Sequence, residues 1–233
     1  MIAQLDAHNP QQHFPNVELA LQEPNGLLAI GGDLSPERLI RAYRHGIFPW
    51  YNHDSPIMWW SPNPRMVLIP DQFQASRSLR KILRRGDFTI TCDQAFSQVI
   101  SACAEPRNDD EGTWITQKMI AAYNQLHKIG VAHSIETWNN KQLVGGFYGI
   151  SIGQVFFGES MFSRESNASK AALATFMQSA QNWHYKLVDC QVHSDHLASM
   201  GAYSIPRNQF TQLLDAHCET NVTAHAWNQI DAW

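Results

Sequence analysis

Between Val131 and His193 the chain reads as three strands in quick succession, then a helix, then one more strand. Val131 to Trp138 is the first strand, and Asn139-Asn140-Lys141 is a turn. Gln142 to Ile152 follows, then a turn at Gly153, then Gln154 to Phe162. The spacing predicts a helix over about Asn167 to Asn182, with Ala168, Ala171, Ala172, Leu173, Thr175 and Phe176 along it, and a last strand over Lys186 to His193. Such an order fits an α/β or α+β architecture.

Two of these strands carry polar groups where the pattern is otherwise buried. Glu159 stands among Phe156, Phe157, Met161 and Phe162, and Asp189 and Gln191 interrupt an apolar run. Two residues apart on a strand, Asp189 and Gln191 are expected to share a face. Carboxylates are almost never fully buried without a partner, so two of them and an amide on an apolar wall point to a site for a ligand that is partly apolar and partly charged.

The remaining chain supplies candidate partners for that site. Ser35-Pro36-Glu37 opens a helix, with Ser35 as cap and Pro36 at its first position, running through Leu39, Ile40 and Tyr43 to a stop at Gly46. Ile57 to Trp60 reads as a short strand and Ser61-Pro62-Asn63-Pro64 as a linker, which sets off residues 1–62 as a small N-terminal unit from residues 63–233. From Phe73 to Arg85 the cations Arg77, Arg80, Lys81, Arg84 and Arg85 fall on one helical face, with Leu79, Ile82 and Leu83 opposite. Further helices are expected over Phe96–Ala104, Gln117–Lys128, Asp195–Met200 and Asn208–His217.

Composition narrows the class. A 233-residue chain with 44% hydrophobic and 16% charged residues is globular rather than disordered. Its net charge of −4 gives no general affinity for nucleic acid, so any such binding has to come from a local patch such as the 77–85 stripe. The four cysteines show no C-x-x-C pairing and read as reduced thiols of a cytoplasmic protein. The first residues lack the basic and apolar regions of a signal peptide, and no window reaches the roughly 18 apolar residues of a membrane span.

Several chemistries are disfavoured. Strands followed by this helix and strand fit an acyltransferase of the GNAT type, although other α+β folds fit almost as well. A coenzyme A pyrophosphate needs a glycine-rich loop at the helix start. Ser163 to Lys170 has no glycine, and Gln142-Leu-Val-Gly145-Gly146-Phe147 lies at a strand start. Gly158-Glu159-Ser160-Met161-Phe162 lacks the closing glycine of a nucleophile elbow. His193-x-Asp195-His196 reads as a surface turn with Asp195 capping a helix rather than as a zinc site.

A resemblance sharpens the reading. Glu23-Pro24-Asn25-Gly26-Leu27-Leu28-Ala29, Gly31-Gly32-Asp33-Leu34-Ser35-Pro36, Gly46-Ile47-Phe48-Pro49-Trp50, Trp59-Trp60-Ser61-Pro62, Glu111-Gly112-Thr113-Trp114-Ile115-Thr116, His133-Ser134-Ile135-Glu136, Phe157 to Ser163 and Asp189-Cys190-Gln191 all resemble the bacterial leucyl/phenylalanyl-tRNA–protein transferases. The likeness extends from about residue 14 to about residue 210. It implies a small N-terminal domain plus a GNAT-like catalytic domain, with no metal and no cofactor. It implies transfer of Leu or Phe (Met being a further candidate) from tRNA onto an N-terminal Arg or Lys of proteins, marking them for N-end rule degradation, by a cytoplasmic enzyme expected to be monomeric.

The resemblance also assigns residues. Phe147, Met161, Phe176 and Val188 would line the aminoacyl pocket, with Phe147 standing where the family is associated with Met. Trp50 and Trp114 would flank the terminal 3′-adenosine, since stacking suits any base. Arg77, Arg80, Lys81, Arg84 and Arg85 would grip acceptor-stem phosphates. Asp189 and Gln191 would orient the incoming amine, Asp189 taking its proton directly, through Gln191, or not at all. Glu159 would pair with the ammonium of the donor or with the basic side chain of the acceptor. Asp109, Asp110 and Glu111 read as a solvated acidic loop.

Overall fold

A computed structural model describes residues 2–106 and 114–231. In chain order the elements are β1 (Ala3–Leu5), β2 (Leu27–Gly31), α1 (Pro36–Arg44), β3 (Phe48–Pro49), β4 (Met58–Trp60), β5 (Arg65–Leu68), α2 (Arg77–Arg85), β6 (Thr89–Cys92), α3 (Phe96–Cys103), α4 (Gln117–Lys128), β7 (Ala132–Asn139), β8 (Gln142–Ile152), β9 (Val155–Ser163), α5 (Ala168–Asn182), β10 (Leu187–Gln191), α6 (Asp195–Ala198), β11 (Tyr203–Ile205) and α7 (Arg207–His217). The fold is mixed α/β. The acidic run Asp109–Asp110–Glu111 lies outside the described residues.

The strands form two sheets, a small one in the order β1-β2-β4-β3 and a seven-stranded one in the order β11-β5-β10-β9-β8-β7-β6. In the large sheet β7, β8 and β9 form the expected meander, and β10 returns parallel to β9 after α5. A parallel return needs a long crossover, which the 15-residue α5 supplies. Small residues let α5 lie close on the sheet: a Cβ at Gly145 would sit 2.6 Å from that of Ala168.

One apolar core runs across both sheets. It joins Leu28, Tyr43 and Trp59 to Phe96, Tyr123, Ile150 and Phe157, while a second cluster fills the opposite face of the large sheet beneath α5. The Ser61–Pro64 turn lies between β4 of the small sheet and β5 of the large one.

Some local readings need correction. β5 lies inside the large sheet, between β11 and β10, where the sequence pattern showed no strand. It is four residues long and buried on both faces, so it lacks the alternation that marks half-buried strands. Ser35 occupies the cap position of α1 without a side-chain cap bond among the described residues; Asp33 Oδ1 instead accepts from Ser35 N at 2.7 Å. Asp195 is the first residue of α6, and Ser194 holds the cap position. Gly46 does end α1, with φ +72°.

Candidate active site

β9 and β10 pair only as far as Phe157 and Asp189, and β9 then continues to Ser163. Past that last pair a cavity of about 760 Å³ opens, lined by residues 158–164 on one side and 188–192 on the other. Trp50 and Trp114 also line it, as do Phe147, Phe156, Met161, Leu173 and Val188. Trp50 is exposed and its ring meets Trp60 at 5.7 Å.

Two strand irregularities aim the polar groups. Across β8 and β9, Tyr148 faces Ser160 and Gly149 faces Gly158, so Glu159 is the extra residue of a bulge. A bulge re-aims its side chain relative to the pleat. Across β10 and β5 the register slips between Asp189 and Gln191, and Gln191 takes φ +62°. The expected common face of Asp189 and Gln191 is therefore broken. Gln191 Nε2 instead donates to Glu159 Oε1 at 2.7 Å, while its backbone N donates to Asp189 Oδ1 at 2.9 Å.

Asp189 is fully buried and occupied. Arg65 Nε and Nη2 donate to its two oxygens at 2.8 and 2.7 Å. Arg65 Nη1 donates to the carbonyl of Gly46 at 3.0 Å, and the guanidinium packs 4.8 Å from the Phe48 ring and 4.6 Å from that of Phe210. Two charge-assisted bonds from one guanidinium fix the position of this carboxylate.

Glu159 has different partners. Tyr123 Oη donates to its Oε2 at 2.8 Å, and the Tyr43 and Tyr123 hydroxyls bond each other. Burial pushes its carboxyl up to about 7, against hydrogen bonds from Tyr43, Tyr123 and Gln191 that favour the charged form, with the charge of Asp189 adding to the rise. Tyr148, packed on Tyr123, lines the cavity, and its buried hydroxyl has no hydrogen-bond partner among the described residues. An unsatisfied buried hydroxyl costs about 1–3 kcal/mol.

The family model of the leucyl/phenylalanyl-tRNA protein transferases matches residues 67–215, and that of their N-terminal domain matches residues 32–63. The chain belongs to this family. A leucyl/phenylalanyl-tRNA–protein transferase of Cellvibrio japonicus (strain Ueda107) is 54% identical over 220 residues, covering 94% of this chain and 93% of its own. The enzyme of that name from Methylococcus capsulatus (strain ATCC 33009 / NCIMB 11132 / Bath) is 52% identical over 227 residues, covering 97% of each. Among solved structures, FemX is similar at 12% identity and a TM-score of 0.48, over 76% of this chain and 70% of that one.

For this transferase-family chain most of the expected site residues come together. Glu159, Asp189, Gln191, Phe147, Met161, Val188, Trp50 and Trp114 all border one cavity. Phe176 does not: it is fully buried behind the wall, its ring 5.5 Å from that of Phe147 and 4.7 Å from that of Phe156. Helical spacing from α5 carries it one layer too deep, and Leu173, a turn earlier, reaches the cavity instead.

The cationic stripe stands apart from the cavity. Arg77, Arg80, Lys81, Arg84 and Arg85 are exposed on α2 and line a shallow surface hollow of their own. Arg85 pairs with Asp87; among the described residues no carboxylate pairs with the other four.

Arg65, Tyr43 and Tyr123 are site-building residues that sequence reasoning missed. The tyrosines carried a signal, since a phenol at an inward helix position usually needs a polar partner. Arg65, at the head of the run Met66-Val67-Leu68-Ile69, carried one too. A cation entering an apolar strand calls for a buried carboxylate.

Proposed function

We propose that this chain transfers Leu or Phe, with Met a further candidate, from aminoacyl-tRNA to the N-terminal Arg or Lys of proteins, marking them for N-end rule degradation in the cytoplasm. In this reading residues 63–233 are a GNAT-like catalytic domain working as a monomer, and residues 1–62 are a small domain that contributes Tyr43 and Trp50. The observation that carries it is the two-ended cavity. Its apolar end, with Phe147, Phe156, Met161, Leu173 and Val188, suits an aminoacyl side chain, and its polar end, with Glu159 and Gln191, suits an amine.

The reaction is ester aminolysis. The neutral α-amine of the acceptor attacks the ester carbonyl, the bond to the 3′-oxygen breaks, and a peptide bond replaces it. An α-amine with a pKa of about 7.7–8.0 is partly neutral near pH 7, so orientation supplies much of the acceleration. Glu159, titrating at about 7, takes the proton from the attacking nitrogen and returns one to the departing ribose oxygen. Asp189 is a positioning residue: paired with Arg65, it holds the Gln191 backbone so that the amide meets Glu159. Trp50 and Trp114 stack on the terminal adenosine, and the α2 stripe holds acceptor-stem phosphates.

Incubating the full chain with Leu-tRNA and peptides beginning Arg, Lys, Asp or Glu tests the reading. Peptides beginning Arg and Lys are expected to gain one leucine by mass. Gain on the Asp and Glu peptides instead would assign a different acceptor class, and no gain on any of them would remove the reading.

A further inference from the structure

Tyr148 sits on β8 opposite Ser160, one step from the bulge that isolates Glu159. Its ring is held edge-on between Phe96 at 5.8 Å and Tyr123 at 5.6 Å. The residue is fully buried, lines the cavity, and has a hydroxyl without a hydrogen-bond partner among the described residues. The neighbouring phenols differ: Tyr43 and Tyr123 are bonded to each other, and Tyr123 to Glu159. Native proteins satisfy nearly all buried hydroxyls, and an exception at a cavity wall calls for an acceptor that arrives with the ligand.

The chemistry of that acceptor follows from the reaction, so the inference rests on the ester-aminolysis reading above. We infer that Tyr148 is a further catalytic residue, its hydroxyl donating a hydrogen bond to the acyl oxygen of the donor ester as that oxygen becomes an oxyanion. As the amine nitrogen bonds to the carbonyl carbon, the π pair moves onto oxygen, where the Tyr148 O–H meets it. On collapse the pair returns, the bond to the 3′-oxygen breaks, and the ribose oxygen leaves with the proton delivered by Glu159. Tyr148 keeps its own proton throughout. Burial, reinforced by the negative charge of Glu159, raises its phenol well above the ordinary value, which makes it a donor that does not ionise. Phe96 and Tyr123 hold the ring in place before substrate arrives.

Tyr148→Phe tests this, because it removes one oxygen and breaks no hydrogen bond among the described residues. The full-length variant is expected to keep its thermal midpoint or raise it, to hold both KM values within about twofold, and to lose kcat by about tenfold or more, towards the roughly 10²–10³ typical of a lost oxyanion donor. Binding supplies a second readout that needs no acceptor. A phosphonate analogue of leucyl-adenosine carries a tetrahedral oxyanion, whereas the 3′-amide analogue carries a planar carbonyl. The variant is expected to bind the phosphonate about tenfold more weakly, on the same oxyanion argument, and the amide unchanged. An unaltered kcat, or equal effects on the two analogues, overturns the role of Tyr148. Failure of the wild type to transfer leucine to peptides beginning Arg or Lys would instead count against the proposed reaction, and the analogue pair would still decide Tyr148.

Discussion

Arg65 and Asp189, 124 residues apart, form a two-bond ion pair at 2.8 and 2.7 Å with neither side chain exposed to solvent. The pair ties together β5, β10 and, through the Gly46 carbonyl, the end of α1. It thereby couples the small N-terminal sheet region to the strand that bears Gln191. Its consequence is geometric: the carboxylate that holds Arg65 also accepts from Gln191 N and fixes the slipped register.

Breaking this pair from one side should be costly. Arg65→Met leaves a buried carboxylate unpaired and is expected to destabilise the fold by roughly 3–5 kcal/mol in urea unfolding. The double variant Arg65→Met with Asp189→Leu should recover most of that stability. Its kcat should nevertheless stay low with the donor KM near wild type, because the anchor of Gln191 is gone. A double variant with normal kcat would show that the pair serves folding alone.

The pH dependence centres on Glu159. Its folded-state value of about 7 lies above the ordinary 4.5, so between those values the folded chain binds more protons than the unfolded one. Its contribution to stability is therefore full below about 4.5 and is lost as pH rises towards 7. Activity is expected to run the other way, since Glu159 as the proposed base has to be ionised. kcat should climb through about pH 7 and level off above it, and Glu159→Gln should abolish that limb while flattening the stability change over the same interval. Transfer rates and thermal midpoints measured from about pH 5 to about pH 9 check both.

Reversing two charges of α2, Arg77→Glu with Arg84→Glu, should weaken tRNA binding while leaving turnover of a leucyl-adenosine fragment untouched. The slope of log affinity against log salt should flatten by roughly one unit for each phosphate that is no longer neutralised. Filter binding over a salt series reads this directly, and unchanged binding would move the RNA footprint elsewhere.

Phe147 lines the apolar end of the cavity. Buried and braced edge-on by Phe156 at 6.0 Å, it offers a stiff ring where Met would yield. Phe147→Met is expected to raise kcat/KM for the Phe donor relative to Leu by about threefold to tenfold, the scale of a small volume change in an apolar pocket. Equal donor preference before and after the change would mean that Phe147 does not discriminate.

The long elements were legible because their periodicity and turns are local. α4 and β8 have the boundaries their pattern predicts, and the cations of α2 lie on the outer face that spacing assigned to them. Glu159, Asp189 and Gln191 could be singled out for a local reason as well, since each violates the pattern around it. β5 escaped notice because a short strand buried on both faces has no polar side to reveal its period.

What the chain order settled by itself was an α/β or α+β class, a cationic helix and a set of polar residues that had to find partners. Which partners they found was decided by tertiary structure. The slip in β10 turned Gln191 away from Asp189's side chain and onto Glu159, and Arg65, from a distant strand, took up the Asp189 carboxylate. The physical reason is that burial is a property of the packed molecule. Two carboxylates on neighbouring strands have different surroundings, one meeting a guanidinium and the other phenols and an amide, and nothing in their local sequence encodes that difference.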